Sequence, residues 1–198
     1  HISYNIGTSA FENCSLSHLE FPGHVSLGNY AFQNGVKGST GSGKNRFGGA
    51  TVKFLGEFSL GTNVFNGCSI EKIDIADADS WVFQSFETLA SNPLSGGAAL
   101  YVNGSPLTEI TINFNPSNYL FAGCNSLQKV TLGSEVTAVG KYTFYNCTDL
   151  KELSITDNLK TFGSYSFAGC TCRDLKIVIP AYATLDSYAF ANWQGHIT

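Results

Sequence analysis

A short alternation of apolar and polar residues recurs along the whole chain. Leu127-Gln128-Lys129-Val130-Thr131-Leu132 is one copy, and Leu150-Lys151-Glu152-Leu153-Ser154-Ile155 is the next. Leu16 to Phe21, Ile70 to Ile75, Leu107 to Ile112 and Leu175 to Ile179 match with small changes, and Val52-Lys53-Phe54 supplies the triplet of a diverged copy. Period-two alternation over so few residues predicts a short, half-buried strand. A turn follows, often with Gly or Pro, and then a second apolar stretch such as Val136, Val139, Tyr142 and Phe144. Each unit therefore predicts one strand, a return arm and a corner. A single unit of this kind cannot bury its own apolar side, so neighbours must stack.

The corner carries a second signature. Phe-x-x-Cys occurs at Phe11–Cys14, Phe65–Cys68, Phe121–Cys124, Phe144–Cys147 and Phe167–Cys170, and Phe32 and Phe190 hold the same place without the cysteine. Phe121, Phe144, Phe167 and Phe190 are spaced by 23 residues each time. A constant period in the twenties is the mark of a solenoid. Two stretches depart from it. Phe32 and Phe65 are 33 residues apart, with Gly, Ser and Lys crowded between Val36 and Gly49. Phe65 and Phe121 are 56 residues apart, which is two units plus an insertion. The unit in that gap is degenerate: Trp81, Val82, Phe83 and Phe86 are apolar, and the alternation leaves open whether Phe83 or Phe86 takes the repeat position.

These residues are similar to one family in particular. Ile6-Gly7-Thr8-Ser9-Ala10-Phe11-Glu12-Asn13-Cys14, Val139-Gly140 through Cys147, and Phe162-Gly163 through Cys170 resemble the BspA-like, or Treponema pallidum-type, leucine-rich repeat. Gly96 to Leu107 resembles a hairpin insertion found in such proteins. The resemblance implies a leucine-rich-repeat solenoid: a right-handed, curved array of about seven repeats of 21–23 residues, with short parallel strands, turns and little helix. It implies a single domain over 1–198, with insertions near 36–49 and 87–106. It also implies a secreted or cell-surface protein of anaerobic bacteria that adheres to a protein or glycan partner. The alternatives are a structural spacer and a carbohydrate-binding accessory domain of a larger surface protein.

Composition narrows the classes without choosing among them. Apolar residues make up 43 % of the 198, enough for a stacked core, and the net charge of −4 lacks the basic stripe that nucleic acid requires. No apolar run reaches the ~18 residues of a membrane span, and no signal peptide is present. The chain opens at His1-Ile2-Ser3-Tyr4, already within a repeat arm, and reads as a mature chain or a piece of a longer one. A monomer is expected. Five of the six cysteines share one repeat position. Stacked strands set equivalent residues about 5 Å apart, whereas a disulfide needs Cβ atoms about 3.5–4.5 Å apart. The expectation is a column of reduced, buried thiols acting as small hydrophobes. Cys170-x-Cys172 lacks the spacing and second pair of a zinc site, so no metal is expected.

Three candidate chemistries are set aside. Gly38-Ser39-Thr40-Gly41-Ser42-Gly43-Lys44-Asn45 nearly spells a phosphate-binding loop, but Asn45 stands where a Ser or Thr must reach Mg²⁺. Its flanks also lack the preceding buried strand and following helix, so a surface loop is expected and no nucleotide cofactor. The histidines, His1, His18, His24 and His196, are joined by no Gly-x-Ser-x-Gly motif, and no catalytic residue is assigned. Asn13, Asn103 and Asn146 begin formal glycosylation sequons, but at Asn13 and Asn146 a turn-forming role is expected.

The strands supply the remaining pattern. The position before each triplet reads His18, Thr51, Lys72, Glu109, Lys129, Glu152, Lys176, and the position within it reads Glu20, Lys53, Asp74, Thr111, Thr131, Ser154, Val178. In a parallel stack these become two columns in which opposite charges neighbour each other, worth about 0.2–1 kcal/mol per pair. Solenoids present such a face, with insertions beside it, to partners. The candidate partner-binding residues are therefore Lys72, Asp74, Trp81, Tyr101, Glu109 and Thr111. Tyr142, Tyr165 and Tyr188 each sit two residues before a repeat phenylalanine, which points to packing.

Overall fold

Strand forms wherever the apolar triplets fall, and within each unit most neighbouring copies pair in parallel. The computed structural model describes residues 3–36 and 49–198. These divide into two compact units, His1–Gln84 with Ala90–Pro106 and Ser85–Leu89 with Leu107–Thr198. The phosphate-loop-like segment Gly38–Asn45 and His1 lie outside the described residues.

In the first unit the triplets form β2 (His18–Phe21), β4 (Ala50–Phe54) and β6 (Ile70–Ile75), while the return arms form β1 (Ser3–Ile6), β3 (His24–Leu27) and β5 (Phe58–Leu60). The arms pair in parallel in the order β1-β3-β5. Leu19, Val52 and Ile73 align across the triplet strands, as do Phe21, Phe54 and Ile75, so each stack of inward side chains is continuous. The degenerate stretch resolves into one short helix, α1 (Asp79–Val82), and two 3₁₀ turns at Leu89–Ser91 and Pro93–Gly96. Phe86 is buried and Phe83 is 73 % exposed, so only Phe86 has the burial of a repeat phenylalanine. The expected hairpin is present. β7 (Ala99–Val102) pairs in parallel with β6 and antiparallel with β8 (Ser105–Pro106), across Asn103 and Gly104 at φ 47° and 79°. Two successive positive φ values are what a tight type I′ turn requires, and Asn-Gly supplies them.

The second unit repeats the plan with the regular 23-residue period. Its triplets form β9 (Glu109–Ile112), β10 (Lys129–Leu132), β12 (Glu152–Ser154) and β14 (Lys176–Ile177). Its arms form β11 (Ala138–Val139), β13 (Thr161–Phe162) and β15 (Thr184–Leu185), which pair in parallel, and β16 (His196–Ile197) pairs with β14. This is a leucine-rich-repeat solenoid: mostly short parallel strands, with little helix among the described residues.

The corners explain the rest of the repeat. Phe121, Phe144, Phe167 and Phe190 stack with centroids 5.1–5.6 Å apart and ring planes within 17°. Phe11, Phe32 and Phe65 make the same ladder in the first unit. Each ring is carried by a main-chain bond to the next turn, such as Phe121 N–H to Thr143 O at 2.8 Å and Phe144 N–H to Ser166 O at 2.8 Å. Two corner positions are left-handed in each of the seven turns built on Phe11, Phe32, Phe65, Phe121, Phe144, Phe167 and Phe190. One holds Ser9, Tyr30 and Asn63 in the first unit and Tyr119, Tyr142, Tyr165 and Tyr188 in the second. The other holds Asn13, Asn34 and Gly67, then Gly123, Asn146, Gly169 and Asn192. At the second position Asn and Gly meet for a steric reason. A Cβ on Gly67 would strike Asn34 Oδ1, and one on Gly169 would strike Asn146 Oδ1. Asn146 thus has the turn role expected of it.

All six cysteines are free thiols, but the buried column is shorter than expected. Cys124, Cys147 and Cys170 are buried, whereas Cys14 and Cys68 are only half-buried. Nor do the thiols behave only as hydrophobes. Cys147 Sγ–H donates to Phe121 O at 3.2 Å, Cys170 Sγ–H to Phe144 O at 3.4 Å and Cys68 Sγ–H to Phe32 O at 3.0 Å. The thiol therefore closes the corner onto the turn before it.

Candidate functional site

In the first unit the strand face brings three of the candidate residues together. Parallel register sets Glu20, Lys53, Asp74 and Tyr101 in one column and His18, Thr51, Lys72 and Ala99 in the other. Lys53 pairs with Glu20 at 3.8 Å, as opposite charges across strands should. Asp74 instead takes Lys72 of its own strand, at 3.3 Å. The reason is the hairpin: Asp74 Oδ1 accepts Gly104 N–H at 2.9 Å, and the Lys72 ammonium lies 4.0 Å from the centre of the Tyr101 ring. Asp74 is only 5 % exposed, so its charge is consumed in fastening the hairpin. Lys72 and Tyr101 are half-buried beside it and remain the accessible members of the group.

Trp81 is a correction. It is fully buried and packs 6.4 Å from Phe58, so it is core and not a contact residue. A large ring in a degenerate repeat replaces the apolar volume that the lost consensus residues would have filled. Phe83, two residues on, is the exposed aromatic of that segment.

In the second unit Glu109, Lys129 and Glu152 align in one column, and Thr111, Thr131 and Ser154 in the other. Lys129 pairs with Glu152 at 3.3 Å, and Glu109 has no ion-pair partner among the described residues. Glu109, Ile110, Thr111, Lys129 and Thr131 line a shallow depression of about 330 Å³. The second column here is neutral, unlike the Glu20, Lys53 and Asp74 column of the first unit.

The remaining histidine chemistry does not assemble. Ser3, His24 and Glu57 line one open depression of about 720 Å³, and His24 Nδ1 lies 3.3 Å from Glu57 Oε2. No hydrogen bond joins Ser3 to His24, and the ion pair is largely exposed, so no activated nucleophile is formed. Among the described residues no group of three His, Cys, Asp or Glu side chains has the arrangement of a metal site.

The structure adds a surface that the pattern of apolar residues had assigned to packing. Tyr119, Tyr142, Tyr165 and Tyr188 stack at 5.2, 4.7 and 4.9 Å with planes within 21°. Tyr119 is buried, Tyr142 and Tyr165 are half-buried, and Tyr188 is 64 % exposed. Tyr145 meets Tyr142 edge-on at 5.2 Å, and the Lys141 ammonium is 5.3 Å from the Tyr119 ring centre. Partial burial, followed by the neighbouring phenols of Tyr165, Tyr119 and Tyr145, raises the Tyr142 phenol above its usual value, against the pull of Lys141. A bulky residue at φ near 60° costs about 1–2 kcal/mol, and one ring stack returns about 0.5–1.5 kcal/mol. The sequence held one signal of this surface: Tyr145 stands where the turns before and after carry Ala122 and Ala168.

Comparison with known proteins bears on the repeat and not on a ligand. The model of the BspA type leucine rich repeat region matches in six copies, over residues 3–39 and 103–196, well over half of the chain. No curated protein matches it. No solved structure matches it either. No helix among the described residues is long and apolar enough to cross a membrane.

Proposed function

The chain belongs to the BspA-type leucine-rich repeat family, and on that premise we propose that it is a non-enzymatic recognition module, displayed at the cell surface or secreted, that adheres to a partner protein through its strand face. Leucine-rich repeats are in general binding scaffolds: stacked units give an extended surface and no enclosed pocket. The observation that supports this reading most is Glu109. It is a strand-face carboxylate left without a counter-ion, beside the depression that it lines with Thr111 and Lys129. In the first unit Lys72 and Tyr101 offer a cation and a ring in van der Waals contact. Most other charges on these strands are paired internally, which leaves little net field and favours a partner read by shape and a few polar anchors.

A host-protein array probed with the purified chain tests this. Binding to at least one protein is expected, weakened about tenfold or more by Glu109→Lys or Lys72→Glu. Binding that both substitutions leave intact would move recognition off the strand face.

A further inference from the structure

We propose that the tyrosine ladder of the second unit is a binding strip for a neutral, linear polysaccharide. This goes beyond the strand-face reading, because the ladder occupies the corner of the repeat and not its strands.

The first reason is hydrogen-bonding capacity. The ring faces of Tyr142 and Tyr165 are consumed by mutual stacking, so the ladder offers ring edges, phenol groups and the outer face of Tyr188. The hydroxyls of Tyr142, Tyr165 and Tyr188 have no hydrogen-bond partner among the described residues, and neither do those of Ser164 and Ser187 in the adjoining column. The main chain ties the two columns together, since Tyr142 N–H donates to Ser164 O at 2.9 Å and Tyr165 N–H to Ser187 O at 3.3 Å. The result is two parallel rows of open hydroxyls, each able both to donate and to accept. A polyhydroxylated ligand answers both capacities, and an ionic ligand answers only one.

The second reason is pitch. The rings recur every 4.7–5.2 Å. An extended peptide presents same-side groups about every 6.6–6.8 Å, two residues at about 3.3–3.4 Å each, and falls out of step within two rungs. A β-1,4-linked pyranose chain advances by nearly one rung per sugar, so it stays in step with the ladder, its same-side groups returning at every second phenol. The third reason is charge. Lys141 is the only charged side chain in the paired columns from Tyr142 to Tyr188, and it already lies over Tyr119.

Two substitutions test the strip without endangering the fold. Tyr145→Ala installs the residue found one turn before and one turn after, at Ala122 and Ala168. Tyr165→Ser installs the residue that the first unit carries at the equivalent left-handed position, Ser9 at φ 54°. Native affinity electrophoresis would be run in gels holding hydroxyethylcellulose, glucomannan or arabinoxylan, with dextran as the α-linked control and circular-dichroism melting as the check on folding. Expected is retardation of the wild type in at least one β-linked gel and not in dextran. Tyr165→Ser should weaken it about tenfold and Tyr145→Ala severalfold, and Glu109→Lys should leave it unchanged. The proposal is overturned by migration unaffected in all three β-linked gels, by equal retardation in dextran, or by retardation that Tyr165→Ser preserves. Loss with Glu109→Lys and not with Tyr165→Ser would assign the glycan to the strand face instead.

Discussion

Removing one rung of the phenylalanine ladder is the most direct perturbation of this fold. Phe144 is fully buried and stacked on both faces, 5.6 Å from Phe121 at 2° and 5.1 Å from Phe167 at 17°. Phe144→Ala forfeits the transfer of the ring and leaves a cavity between two turns that are held apart by main-chain bonds, so relaxation is small. The expected cost is about 4–5 kcal/mol, the upper part of the range for buried aromatics, because two stacks of about 0.5–1.5 kcal/mol each go with it. Phe11 is the internal control. It is 40 % exposed and stacks on one face only, 5.0 Å from Phe32, so Phe11→Ala should cost about 1–2 kcal/mol. At about 2–4 °C per kcal/mol for a chain of this size, the two substitutions lower Tm by roughly 10–15 °C and roughly 5 °C. Phe144→Leu, which keeps most of the apolar volume, should fall between them. Thermal melting and urea unfolding followed by circular dichroism give all three numbers. If Phe11→Ala cost as much as Phe144→Ala, two-sided stacking would not be what holds the corners.

The thiol column gives a prediction in pH. Burial, reinforced by Cys170 and Cys124, holds the Cys147 thiol well above its usual value, and burial pushes Cys170 up to about 12. Both hold their protons more tightly folded than unfolded, so their contribution is complete below the ordinary thiol range near pH ~8.5 and is lost as pH climbs toward 12. Tm should fall above pH ~9, less steeply in the Cys147→Ala/Cys170→Ala double variant, and a thiol reagent at neutral pH should label Cys124, Cys147 and Cys170 only after unfolding. Parallel pH profiles for the two proteins would count against it. At the Asn–Gly corner, Gly169→Ala should cost about 1–3 kcal/mol from its φ of 77° together with the clash on Asn146 Oδ1. Adding Asn146→Gly should recover only the steric share, and full additivity in the double-mutant cycle would show that the two side chains do not meet.

The sequence by itself determined the repeat, and through it the fold. Period-two triplets such as Val130-Thr131-Leu132, bounded by a constant Phe-x-x-Cys corner, admit one arrangement: parallel strands in register, with every inward side chain above its equivalent. Local pattern suffices there because each turn touches mainly its neighbours. The hairpin within Gly96 to Leu107 came from the family resemblance, and the structure sets its turn at Asn103-Gly104. The tertiary structure decided what depends on which neighbour arrives. Asp74 was legible as a charge on the strand face, but only the hairpin folding back over it turned that charge inward to Gly104 and Lys72. Trp81 was legible as a large ring in an irregular segment, and only packing against Phe58 settled that the irregularity is filled and not presented. Tyr142, Tyr165 and Tyr188 read as core from their distance to the repeat phenylalanine. The left-handed corner backbone instead swings them outward into a ladder of their own. Periodicity says which residues are equivalent; the direction a side chain takes from its backbone decides whether that equivalence becomes a core or a surface.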